Sequence, residues 1–177
     1  GAVSLDGSIN SASLNTQTLY GSFLNLYADN DDIVLHGPLS LSGSIGSVSA
    51  EINPFSVYGT QASITSNFGA VTLEGSAAVS GSVASVQGFE LAAVSGAFFS
   101  AISNGHLDLH KTLNVSGTVG SVVAGNDFSA RGVEVFLFSE FGDANLGDQV
   151  SLNAMLGTVQ GNNFLSADAA SFSLRSV

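Results

Sequence analysis

The chain has 177 residues, 45% hydrophobic and only 10% charged, with 14 acidic side chains against three basic ones and a formal net charge of −11. Lys111, Arg131 and Arg175 are too few to neutralise a phosphate backbone or an anionic membrane surface, which excludes nucleic acid and charged headgroups as partners. With no cysteine, disulfide scaffolds, thiol catalysis and thiolate metal sites are excluded too, and the apolar content argues against disorder.

In chain order, the first element is the segment LDGSINSA, with Leu5 and Ile9 two residues either side of Gly7. Apolar residues alternate here with serine and asparagine, the period-two pattern of a strand with one buried face. A second run is centred on Gly21 and continues through Leu24 and Leu26; a short third run holds Ile33 and Leu35. The series then begins again. LSGSIGSV follows at Gly43, VSGSVASV at Gly81, VSGTVGSV at Gly117 and LNAMLGTV at Ala154. The second run recurs at Gly59, Gly96, Gly132 and Ala169, and the third at Val71, Leu107 and Ala144.

These recurrences divide the chain, as a single repeat domain, into repeats 1–36, 37–74, 75–110, 111–147 and 148–177, the last stopping before a third run. Three strands per repeat and no sustained helical spacing predict an all-β fold. A parallel β-solenoid of about five coils is the most economical form, because like residues then stack at about 4.8 Å and each coil supplies its neighbour's backbone partners. An antiparallel sandwich or barrel is the alternative, but Asn104-Gly105 is the one tight hairpin signal where a meander needs many. In the second run the apolar parity changes at the glycine, with Leu19, Val57 and Val94 before it out of step with the later set. That predicts a bulge, and the glycine as a corner of the coil.

Catalytic signatures are missing: there is no dinucleotide fingerprint or phosphate loop, and Val159 stands where a nucleophile elbow needs serine. The chain is not expected to be an enzyme. Two metal readings remain. Asp29, Asp31 and Asp32 form an oxygen-rich turn of a kind that holds calcium, though without the glycine and distal glutamate of an EF-hand loop. His36, Glu74 and His110 share one repeat column and, stacked, could grip a transition metal. A solvated acidic turn and a plain surface ladder explain both groups as well. No cofactor is implied other than that calcium.

The ends of the array carry the functional expectation. Val3, Leu5 and Ile9 in the first repeat, and Leu152, Leu156, Phe172 and Leu174 in the last, keep the apolar pattern where a polar cap would be expected. Uncapped ladder edges recruit further strands, and a head-to-tail contact that does not close grows into a filament. The repeat style resembles bacterial surface proteins, namely filamentous-haemagglutinin-like solenoids and curli-type functional amyloids. That resemblance implies a secreted or cell-surface protein assembling end to end with itself into a fibre of an appendage or biofilm matrix, without membrane insertion. A monomeric adhesin module, binding a glycan or receptor through Tyr20 and Tyr58 of one repeat column, is the alternative.

Overall fold

The computed structural model describes residues 3–13, 18–50, 55–88, 91–124, 128–161 and 165–176. Coil 1 consists of β1 (Val3–Ser13), β2 (Thr18–Ala28) and β3 (Ile33–Leu35). Coil 2 has β4 (Leu39–Ala50), β5 (Phe55–Ser66) and β6 (Val71–Leu73). Coil 3 has β7 (Ala77–Gly88), β8 (Leu91–Ser103) and β9 (Leu107–Leu109), and coil 4 has β10 (Leu113–Ala124), β11 (Phe128–Ser139) and β12 (Ala144–Leu146). Coil 5 has two sides only, β13 (Val150–Leu156) with the short β14 (Val159–Gly161), and β15 (Leu165–Ser176).

Corresponding strands stack into three sheets. Sheet A runs β1-β4-β7-β10-β13 with β14 also on β10, sheet B runs β15-β11-β8-β5-β2, and sheet C runs β12-β9-β6-β3. Every pairing is parallel and follows the repeat columns: Leu5 on Leu41, Leu41 on Val79, Val79 on Val115, Val115 on Leu152. The fold is the parallel β-solenoid expected, and the antiparallel alternative is excluded. Asn104-Gly105 makes no hairpin; it turns the chain from β8 into β9, and the Gly105 N–H donates to the Gly69 carbonyl one coil away at 3.0 Å.

Strand lengths differ from the even division into thirds. Strands of sheets A and B mostly run 11 to 13 residues, whereas those of sheet C have three. The long strands change their inward parity part-way along. In β5, Val57 and Gly59 are buried, then Thr60, Ala62 and Ile64. The expected parity change at the glycine is therefore present, but paired strands keep register through it, Tyr20 on Tyr58 and Ser22 on Thr60, and the glycine lies within the strand, not at a corner.

Instead the glycines form a waist. A Cβ on Gly43, Gly81 or Gly117 would overlap the carbonyl oxygen of Gly59, Gly96 or Gly132 of the same coil. Sheets A and B thus meet backbone to backbone along these two columns, and only a residue without a side chain fits. Hydroxyls tie the waist: Ser22 Oγ donates to the Ser42 carbonyl, and Thr60 Oγ1 to the Ser80 carbonyl at 2.6 Å. The waist divides the interior into two cores. One holds Leu41, Ile64, Leu73, Phe99, Leu107 and Leu137; the other holds Ile45, Val48, Val57, Val86 and Val119. Side-chain volumes compensate between coils: Ala62 with Ile64, Phe99 with Ala101, and Val135 with Leu137 occupy the same two columns, all fully buried. Such balance keeps a stack of unlike layers at crystal-like density.

Candidate functional site: the end coils and the faces of the stack

Where the chain turns from sheet B into sheet C, a serine column closes the corner. Ser66 Oγ donates to the Asp31 carbonyl at 2.9 Å, Ser103 Oγ to the Gly69 carbonyl at 2.8 Å, Ser139 Oγ to the Gly105 carbonyl at 2.7 Å and Ser176 Oγ to the Gly142 carbonyl at 2.8 Å. Each hydroxyl binds a turn carbonyl of the preceding coil. In coil 1 this position is Ala28. The signal for this column in the sequence is the identity of Ser66, Ser103, Ser139 and Ser176 at one register.

Acidic side chains turn out to be acceptors for neighbouring coils. Asp29 Oδ1 accepts from the Tyr27 hydroxyl at 3.3 Å and from Asn67 Nδ2 at 3.1 Å, while Asp32 Oδ1 accepts from the Ala70 N–H at 2.7 Å. Asp31 contributes its backbone carbonyl to Ser66. Asp6 and Asp108 similarly accept from Ser42 and Asn145 one coil on, and Asp148 accepts from Thr112 one coil back. Matching carboxylates with hydroxyl and amide donors explains how an acid-rich chain is held with so few bases. The phenol of Tyr27 is pushed above its usual range by desolvation and by the adjacent Asp29 carboxylate.

His36, Glu74 and His110 follow Leu35, Leu73 and Leu109 directly, so they do share a column on the outside of sheet C. His36 Nδ1 lies 2.7 Å from Glu74 Oε2, with both side chains well exposed. His110 is fixed one coil further by its N–H to the Leu73 carbonyl at 3.0 Å. Among the described residues, no three histidine, aspartate or glutamate side chains converge to hold an ion, either at this column or at the acidic turn.

The two broad outer faces are unlike. Sheet A presents small polar columns, and its outer surface sinks over the glycine waist into a concavity of about 440 Å³ lined by residues such as Ser42, Ser80, Ser116, Thr118 and Asn153. Sheet B presents aromatic rings. Tyr20 and Tyr58 stack with centroids 5.5 Å apart and planes 16° from parallel, with Phe23 and Phe98 beside them. Phe136 and Phe138 make a second stacked pair at 6.3 Å. Because Tyr20 and Tyr58 face each other along the stack, they offer edges and hydroxyls, not ring faces, to a sugar. Burial is the main reason the Tyr58 phenol is raised above its usual range. Phe23, Phe98, Phe136 and Phe138 went unremarked in the sequence, although all lie at outward parity once the parity change is placed.

At the ends of the stack the apolar columns lose their cover. Leu41, Val79 and Val115 are each 1% exposed, but Leu5 of the same column is 40% exposed. Phe99 is 0% exposed, whereas Phe172, two coils on in its column, is 43% exposed and Leu174 is 42%. Val3, Ile9, Leu152 and Leu156 are half-buried. Each sheet ends on a strand with one unpaired edge: β1 and β13, β2 and β15, β3 and β12.

Comparison with known proteins adds no name: no family model, no curated protein and no solved structure matches this chain. What the structure shows is the parallel β-solenoid architecture itself.

Proposed function

We propose that this chain is a structural subunit of an extracellular or cell-surface fibre, stacking end to end with copies of itself through coils 1 and 5. One observation carries the reading: columns shut to water in coils 2 to 4 stay open at both ends of the stack, beside unpaired strand edges. The same geometry that seats coil 3 on coil 2 would seat coil 1 of one copy on coil 5 of another. Leu5 would then meet Leu152, and Leu26 would meet Leu174. Each such rung hides apolar surface worth roughly 25 cal/mol per Å² and completes a backbone ladder. A matrix or appendage of the kind built by haemagglutinin-like and curli-like proteins is the setting such a subunit suits. The low basic content and the lack of a catalytic constellation suit a building element better than an enzyme.

Negative-stain microscopy and light scattering of the full chain test this. Wild type should form threads of coil-stack width, and the double variant Val3→Lys with Leu5→Lys should stay short, its circular dichroism unchanged. Leu174→Lys, at the opposite end, should block growth equally. A wild type that remains monomeric at high concentration, or variants that polymerise as it does, would overturn the proposal.

A further inference from the structure

Sheet B has a second kind of unpartnered surface, on its flank and independent of where the coil stack ends. Its outward columns hold Tyr58, Phe98, Phe136 and Phe138, all half-buried, together with Tyr27, which is 60% exposed. The same face holds Arg131 and Arg175, two of the three basic residues of the chain. Their charges are matched there by Glu134 and Asp168, and Arg131 Nη1 binds Glu134 Oε2 at 2.8 Å. In a molecule of net charge −11 this broad apolar face is neutral. The other faces differ: sheet A offers small side chains with little to bury, and the sheet C side carries Glu74, Asp108, Asp143 and Asp148. Two such acidic molecules can approach closely only where neither brings net charge.

We propose that the outer face of sheet B is the surface on which a second copy of this chain packs, sheet against sheet, about a two-fold axis parallel to the strands and centred on β8. Such an axis sets coil 1 opposite coil 5 and coil 2 opposite coil 4, column facing column. The columns are complementary in that arrangement. Arg131 comes opposite the edge and hydroxyl of Tyr58, and Arg175 comes opposite Tyr27; Arg175 already lies 5.9 Å from the Phe138 ring centroid within its own chain. The Arg131 Nε, buried without a hydrogen-bond partner among the described residues, belongs to a side chain that the partner's Tyr58 hydroxyl would approach. Bulky Phe136 comes opposite small Ser63, and Phe98 meets its own copy on the axis. Turning the axis through a right angle would instead set coil 4 against coil 4 with its column order reversed, bringing Glu134 onto its own copy. Size is sufficient as well. Five strands at about 4.8 Å, each about 12 residues long at about 3.3 Å per residue, give a face of roughly 900 Å². Pairing then covers about 1,800 Å² in total, inside the ~1,600 ± 400 Å² range of stable interfaces, with two aligned sheets packed as in a sandwich.

This lateral contact goes beyond end-to-end stacking and does not rest on it. The test uses the full chain with growth at the end blocked by Val3→Lys and Leu5→Lys, neither of which touches sheet B's outer face. Size-exclusion chromatography with light scattering should give twice the 17.8 kDa chain mass. Adding Phe98→Ser should return that mass to the monomer value with unchanged circular dichroism. In a cysteine-free chain, Phe98→Cys should be joined to its own copy by a short bis-maleimide. Tyr58→Cys should be joined only when mixed with Arg131→Cys. An end-blocked chain that stays monomeric would overturn the proposal and leave the face to a different partner, such as a glycan. A dimer indifferent to Phe98→Ser would overturn it equally. Fibres from wild type without this dimer would reject the lateral contact alone; the dimer without wild-type fibres would reject end-to-end stacking alone.

Discussion

Coils 3 and 5 carry the same columns, yet they are held differently. In coil 3, Gly81 and Gly96 let the two long sheets touch, Phe99 is fully enclosed, and the Ser103 hydroxyl lies buried between two carbonyls, those of Gly69 at 2.8 Å and His106 at 3.1 Å. Coil 5 has Ala154 and Ala169 at the waist, where coils 1 to 4 have glycines whose hypothetical Cβ would overlap backbone of the facing sheet. Its sheet A side breaks into β13 and β14, its described residues include no strand of sheet C, and Phe172 is partly in water. The difference teaches that a repeat is enclosed in proportion to the neighbours it has on both sides, and that one column can be shut to water in the middle of the array and open at its end.

The waist offers the hardest way to break the comparison. Gly117→Ala puts a methyl on the Gly132 carbonyl oxygen, backbone that cannot yield without separating the sheets. The expected loss is about 3 kcal/mol or more, read as a fall in the urea midpoint, although alanine is native at the matching position in coil 5. Next comes the aromatic column. Phe99→Ala should cost about 3–5 kcal/mol by leaving a cavity, while Phe172→Ala should cost about 1 kcal/mol because much of that ring is already hydrated. Thread length should respond in the opposite order, shortening with Phe172→Ala at stability close to wild type. Smallest is the corner. Ser103→Ala removes a buried hydroxyl from between the Gly69 and His106 carbonyls, which keep the Gly105 and Val71 N–H groups, and should cost about 1 kcal/mol, whereas exposed Ser176→Ala should change stability by about 0.5 kcal/mol or less. Equal effects of the two serine changes in denaturant titrations would show that burial does not distinguish the coils.

Much of this was legible in the residues. Leu41, Val79 and Val115 recur at one repeat position, and parallel stacking follows because only in-register coils set each apolar residue on its like. The exposed apolar ends were legible for the same reason. Gly59 and Gly96 were misread as corners, since a repeat alignment shows which residues lie above one another but not which columns face each other across the interior. The three acids of the first turn looked like ligands for calcium; in the fold Asp29 and Asp32 accept from Asn67 and Ala70 of the next coil, partners 38 residues away that one column cannot reveal.

By itself the amino-acid order determined the rung-on-rung register, because period-two alternation and a constant repeat length leave no other way to bury every apolar column. Tertiary structure alone decided how the coil is pinched, where its serines reach, and that one flank is aromatic and neutral while the other is small and polar. Those properties depend on distances between separate runs of chain and on where each strand reverses its inward side, and neither is written in any single stretch of residues.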